Sequence, residues 1–175
     1  MPQTALLQHV PHSPKDVLNL VADVETYPDF IDLISALRVT KTTSMSDAYS
    51  VFEADAIIRY KFISETFGSK IVVDKDKRTI TVTKASRGGA VKSLRNDWKF
   101  HELSDGSTLV DFDVDVRLTA FPLELLAKEK FPKIAKIIMG YFIDHAEATL
   151  PKISSQNLNI SKEINSLGLP VALLV

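Results

Sequence analysis

The sequence predicts an α+β domain in which a curved antiparallel sheet is covered on one face by a long C-terminal helix. Three observations carry that prediction. From Ile34 to Leu118 apolar and polar residues alternate with a period of two, the pattern of strands that bury one face and wet the other. From 122 to 153 the period becomes helical, with Phe131, Ile134, Ile138, Tyr141 and Phe142 recurring on one side. Turn-forming segments such as Ser44–Asp47, Asp74–Lys77 and Ser104–Gly106 divide the alternating stretch into lengths that suit adjacent antiparallel strands.

Each element has its own justification. Residues 4–10 suit a first strand. Ser13-Pro14-Lys15-Asp16 is a helix start: serine caps free N–H groups, proline is pre-set for the first turn, and an acid suits the positive end of the dipole. Val17, Leu20, Val21 and Val24 continue at helical spacing, and Tyr27-Pro28 is expected to end that helix. Strands are expected at 34–43, 47–60, 62–73, 78–84, 91–103 and 108–118. In the last of them Val110, Phe112, Val114, Val116 and Leu118 face one way, while Asp111, Asp113, Asp115 and Arg117 face the other. In the strand before it Leu94, Trp98 and Phe100 oppose Arg95, Asp97, Lys99 and His101. The helix that covers this sheet is expected in two pieces divided at Phe131-Pro132. Residues 1–153 thus form one domain, and 154–175 read as a polar linker with an apolar end.

The 175 residues fit one domain able to bury a sizeable core, with 45% apolar and 25% charged residues. A formal net charge of −1 advertises no polyanionic partner, so any basic footprint is local. The absence of cysteine excludes disulfides, thiolate metal sites and thiol nucleophiles. Residues 1–10 carry no basic stretch followed by an apolar one, and no apolar run approaches the roughly 20 residues of a membrane span. The chain therefore reads as cytoplasmic, with membrane contact only from the surface.

Residues 20–31, Leu-Val-Ala-Asp-Val-Glu-Thr-Tyr-Pro-Asp-Phe-Ile, resemble the opening motif of the Coq10/RatA group within the polyketide cyclase/START-like superfamily. The resemblance continues in order through Glu65-Thr66-Phe67-Gly68-Ser69-Lys70, Asn96-Asp97-Trp98-Lys99-Phe100 and Val110-Asp111-Phe112, to Phe142 and Ala146. It implies a helix-grip (START/Bet v 1-like) fold with a lipophilic tunnel between sheet and last helix. It also implies binding of ubiquinone or a related isoprenoid lipid in support of respiratory quinone function, without catalysis. For the RatA branch it implies instead binding to the large ribosomal subunit and interference with subunit association.

The residues are compatible with such a tunnel. Phe52, Phe62, Trp98, Phe112, Phe121, Phe131, Ile134, Ile138, Tyr141 and Phe142 are either plain core or the walls of a cavity. The cavity is favoured by Ala54 and Ala56, small residues on the same strand face as Phe52, which leave volume beneath the helix. A prenyl chain would bind there by area, at roughly 25 cal/mol per Å² buried. Tyr141, Asn96 and His145 are candidates to meet a headgroup. Lys84, Arg87, Lys92, Arg95 and Lys99, with Asp97 the single acid among them, are either a solvated face or a dock for anionic lipid or ribosomal RNA. Lys128, Lys130, Lys133 and Lys136 mark the start of the last helix in the same way. The apolar end, Leu167 to Val175, could pack on its own domain, insert shallowly in a bilayer or dock on a second copy as a homo-oligomer contact, and is expected to dock on protein, near the tunnel mouth.

Catalytic patterns are missing. His9, His12, His101 and His145 lack metal-ligand spacing, and no nucleophile elbow, phosphate loop or dinucleotide fingerprint occurs. Asp111, Asp113 and Asp115 lack the glycine and bidentate glutamate of a calcium loop and read as a solvated strand face. A cyclase or aromatase would need a convergent acid/base pair inside the cavity, and the sequence offers none.

Overall fold

The computed structural model describes residues 3–60, 63–85, 89, 91–118, 121–153 and 157–175, without the side chains of 60, 63, 118 and 121–129. The expectations for Phe62, Arg87, the Phe121 ring and the Lys128 ammonium lie outside the described residues.

Seven strands form one antiparallel sheet in the order β1-β7-β6-β5-β4-β3-β2. They are β1 (Gln3–Val10), β2 (Ile34–Met45), β3 (Tyr49–Tyr60), β4 (Ile63–Asp74), β5 (Thr79–Lys84), β6 (Val91–Glu102) and β7 (Thr108–Leu118). Strands β2 to β7 are a simple meander, and β1 returns to pair with β7, Leu6 opposite Phe112. The remaining edge, β2, is blunted by three register shifts and an exposed, polar second half, which discourages pairing with other chains.

The N-terminal connection differs from the expected single helix. Helix α1 (Pro14–Ala22) starts at the capping Ser13, whose side chain accepts from the Asp16 N–H. It ends at Asp23, whose backbone leaves the helical region (φ −81°, ψ 69°), several residues before Tyr27-Pro28. A 3₁₀ turn (Val24–Thr26) follows. Pro28 then opens a second short helix, α2 (Tyr27–Phe30), where its missing N–H costs nothing. The proline is a start signal here and not the expected stop.

The last helix is also corrected. Helix α3 (Phe121–Thr149) is continuous through Pro132 instead of divided there. Pro132 is exposed, so solvent can take the carbonyl that a proline leaves unbonded. The helix stops at Thr149 ahead of Pro151, short of the expected residue 153. Its inner residues Ala135, Met139, Phe142 and Ala146 are buried against the concave face of the sheet, where Leu6, Val10, Trp98, Phe100 and Val110 complete the core.

The tail is more structured than a linker with an apolar end. It contains helix α4 (Ile160–Ser166), capped by Asn159, and a 3₁₀ turn (Val171–Leu173). Both lie over the outer, convex side of the sheet. There Leu7, Leu103, Leu109 and Ile164 form a second buried cluster, against which Leu158, Leu169, Leu173 and Leu174 pack. Leu174 bridges to Leu7 in parallel, and the Val175 N–H donates to the Leu7 carbonyl at 2.9 Å. The tail docks on its own domain, as expected, but at the β1 edge and not at the mouth of the cavity. Most of its apolar residues thus pack in cis, while Leu167 and Val175 stay 39% and 50% exposed.

Candidate functional site: an apolar cavity

Between α3 and the concave sheet face lies a cavity of about 420 Å³, within the range of small-molecule sites. Its inner end is built from buried residues of the central strands, Ile71, Ile80, Trp98 and Phe112, with Phe142 from the helix. Its outer end is lined by half-buried residues: Ile34 and Leu37 of β2, Ile58 of β3, Leu94 of β6, and Phe131 and Ile134 of α3. Among the described residues, the less buried end of the lining therefore lies between Phe131 and Ile134 of α3 and the strand ends at Ile34, Ile58 and Val91.

An aromatic network fixes the inner end. Trp98 meets Phe112 edge-to-face at 4.7 Å between ring centroids, and Phe142 at 5.1 Å. Phe142 in turn meets Tyr27 at 5.2 Å and Phe30 at 5.3 Å. Such pairs are each worth roughly 0.5–1.5 kcal/mol beyond area burial and hold rings in set orientations. They explain the position of α2: its aromatic residues close the gap between α1 and α3, and Ile31 just after it contributes to the wall.

The cavity holds three polar side chains among its described walls, and each has a partner within the fold. The Tyr27 hydroxyl donates to the Val21 carbonyl, and burial, with nearby Asp23 second, pushes its pKa far above the ordinary phenol value. The Ser69 hydroxyl donates to the Ala54 carbonyl at 3.4 Å. Asn96 is used at both ends: its amide nitrogen donates to the Asp113 carbonyl at 2.9 Å, and its oxygen accepts from the Trp98 indole N–H at 2.6 Å. A site with its polar groups already satisfied presents an apolar surface to what enters it. No group of three or more histidine, aspartate or glutamate side chains that could hold a metal occurs among the described residues.

The residues singled out from sequence fall into separate places. Trp98, Phe112, Phe131, Ile134, Ile138, Phe142 and Asn96 line the cavity. Phe52 and Ala54 are buried in the same core but outside the lining, to which their register neighbours on the next strand, Ile71 and Ser69, contribute instead. Tyr141 and His145 lie outside it too. The Tyr141 hydroxyl donates to an Asp32 carboxylate oxygen at 3.2 Å, and the His145 ring stacks on Phe30 at 4.0 Å. Both fasten α3 to the α2 segment instead of facing a headgroup. Sequence reading missed Ile31, Ile58, Phe67 and Ile71. Ile58 was in phase with Phe52 and Ala54, and Phe67 and Ile71 shared a period-two face that Ser69 disguised.

Of the expected basic cluster, Lys84 ends β5 while Lys92, Arg95 and Lys99 lie on β6, where Arg95 is ion-paired. Arg95 makes two hydrogen bonds to the Asp97 carboxylate, at 2.8 and 3.2 Å. Across the β6–β7 ladder Lys99 stands opposite Asp111, Asp97 opposite Asp113 and Arg95 opposite Asp115, so charges of both signs share the convex face. Lys92 is exposed and Lys84 half-buried. On α3, by contrast, Lys130, Lys133 and Lys136 are all exposed, and Ile137 beside them is 55% exposed. No described helix is long and apolar enough to cross a membrane.

Comparison with known proteins agrees with this architecture. The coenzyme Q-binding protein coq10, mitochondrial, of Schizosaccharomyces pombe is 26% identical over 148 residues, 85% of this chain and 88% of that protein. The ribosome association toxin RatA of Escherichia coli K12 is 27% identical over 149 residues, 84% of this chain and 88% of that protein. The solution structure of an 18 kDa Caulobacter crescentus protein superposes with a TM-score of 0.70 at 26% identity, covering 85% of this chain and 97% of that one. The Zhui aromatase/cyclase of a Streptomyces species shares the fold, with a TM-score of 0.67 at 15% identity over 83% of this chain and 93% of that one. The sequence profile of the family described as polyketide cyclase / dehydrase and lipid transport matches residues 10–138, and the chain belongs to that family.

Proposed function

We propose that this protein binds ubiquinone or a related isoprenoid lipid in the cavity between sheet and α3, and supports respiratory quinone function as a carrier and not as an enzyme. The observation that carries the reading is the cavity of about 420 Å³ whose few polar side chains are spent on internal hydrogen bonds. Such a space rewards apolar area, at roughly 25 cal/mol per Å² buried, and among its described walls offers no acid/base pair to a reacting carbonyl. The likeness to a coenzyme Q-binding protein over most of both chains supports the choice of lipid. Loading takes place at an anionic membrane surface through Lys130, Lys133 and Lys136, whose helix supplies Phe131 and Ile134 to the mouth.

The likeness to RatA favours a second reading, a factor that binds the large ribosomal subunit. It would use the same lysines through phosphate neutralisation. It gives the cavity no task, so the lipid reading accounts for more of the molecule.

The substitution Ile138→Glu tests the first reading. A carboxylate introduced among apolar walls resists desolvation, so the folded variant should recover from a quinone-producing host without bound quinone. Quinone content equal to that of the wild-type protein would refute the proposal.

A further inference from the structure

A second, smaller void of about 10 Å³ lies under α1, lined by Val17, Leu20, Val21 and Met139 among others. Trp98 and Phe142 line both this void and the main cavity, so these two rings are a shared wall. The wall is held in place. Asn96 accepts the indole N–H at 2.6 Å while its own amide is tied to the Asp113 carbonyl, which fixes the indole's rotation. Phe142 is fixed by Tyr27 and Phe30. Asn96, half-buried at the cavity wall, thus spends both ends of its amide on the indole and one backbone carbonyl, which ties the ring's orientation to the β6–β7 ladder.

We infer that Trp98 and Phe142, with Asn96 as the positioning residue, are the floor that sets how much of a ligand the cavity encloses. The inference rests on the lipid-binding reading and names its selectivity: length, measured from the mouth to this floor. A cavity of roughly 150 Å³ accommodates a benzene molecule, about 25 Å³ per carbon, so 420 Å³ corresponds to about seventeen carbon atoms. Beyond that the rest of a longer chain stays outside the walls and adds no affinity. An indole has more heavy atoms than an isoprene unit, so its removal joins the two spaces and makes room for at least one more unit under α1.

The test is the affinity of the full chain for ubiquinones carrying one to six isoprene units, measured by native mass spectrometry. Wild-type affinity should rise with each added unit and then level off. In Trp98→Ala the plateau should move out by at least one unit, with at least tenfold tighter binding at that length, since each buried methylene is worth roughly fourfold. Phe142→Leu opens the same wall from the helix side and should move the plateau in the same direction, which keeps the test decisive if Trp98→Ala does not fold. Met139→Ala enlarges only the space behind the floor and should leave the plateau in place. A plateau unmoved in both wall variants, or moved equally by Met139→Ala, overturns the floor while leaving the lipid-binding reading intact. A wild-type protein that takes up no ubiquinone of any length overturns that reading and the floor with it.

Discussion

Replacing Ile134 with alanine separates a cavity wall from a packed core. Ile134 is half-buried on α3, lines the cavity, and stands outside the buried cluster that Ile138 packs against. A buried isoleucine or leucine truncated to alanine ordinarily costs about 2–5 kcal/mol, part transfer and part new void. At Ile134 the void already exists and the transfer is partial. Alanine is also the better helix former, by about 0.4 kcal/mol. The expected loss for the ligand-free protein is therefore about 1 kcal/mol or less. Leu18→Ala, at a position 2% exposed in the same core, should show the full 2–5 kcal/mol. With ligand bound the order reverses. Ile134→Ala removes three carbons of contact at about 0.8 kcal/mol each, about 2.4 kcal/mol or about sixtyfold in affinity, and Leu18→Ala leaves affinity unchanged. Urea unfolding of both variants, followed by the fluorescence of Trp98, the single tryptophan, gives the first pair of numbers. Titration with a short-chain ubiquinone gives the second. Equal destabilisation by the two variants, or unchanged affinity in Ile134→Ala, would refute the assignment of Ile134 to a ligand-facing wall.

Three further outcomes follow from other parts of the molecule. Changing Lys130, Lys133 and Lys136 together to glutamine should weaken binding to anionic vesicles about a hundredfold, at about 1 kcal/mol per charge, while ligand affinity in detergent stays constant. A vesicle-sedimentation assay reads it. Burial holds His9 below the ordinary value of 6.5, against an opposing pull from Asp105, while its Nε2–H donates to Ser107 at 2.9 Å and the Ser107 hydroxyl donates on to Asp105. The unfolded chain then takes up the proton more readily, so this group's contribution is complete above pH 6.5 and is lost as pH falls below it. His9→Gln should flatten the stability profile measured by urea unfolding in that window. Ile164→Ala, at a fully buried position of the tail, should release the segment over β1. Faster hydrogen exchange in β1, with ligand uptake unchanged, is the expected result.

Much of this was legible in the sequence because one-sided burial writes a period. β7 alternates cleanly since its concave face meets the core and its convex face meets water, and the α3 stripe is visible for the same reason. The cavity itself was only half legible. Period two shows which face a residue takes, but not whether its neighbour meets a helix or an empty space. Phe52 and Phe112 therefore looked alike, although only Phe112 lines the cavity. The setting of the basic run on β6 was not legible, because Asp111, Asp113 and Asp115 are far along the chain but adjacent in the sheet. Pro28 and Pro132 misled, since proline at a first turn or on an exposed helix face is tolerated. The tail's docking at the β1 edge depends on Leu7, Leu103 and Leu109, apolar residues far apart in the chain that meet on the outer face, which no local pattern marks.

The central claim is that the cavity holds a prenyl lipid, and native mass spectrometry with organic extraction tests it most directly. Protein purified from a quinone-producing host should carry a near-stoichiometric ubiquinone or related isoprenoid, lost in Ile138→Glu. Protein that emerges empty, and stays empty after incubation with quinone-loaded anionic vesicles, would contradict the account and shift the case to the ribosomal reading.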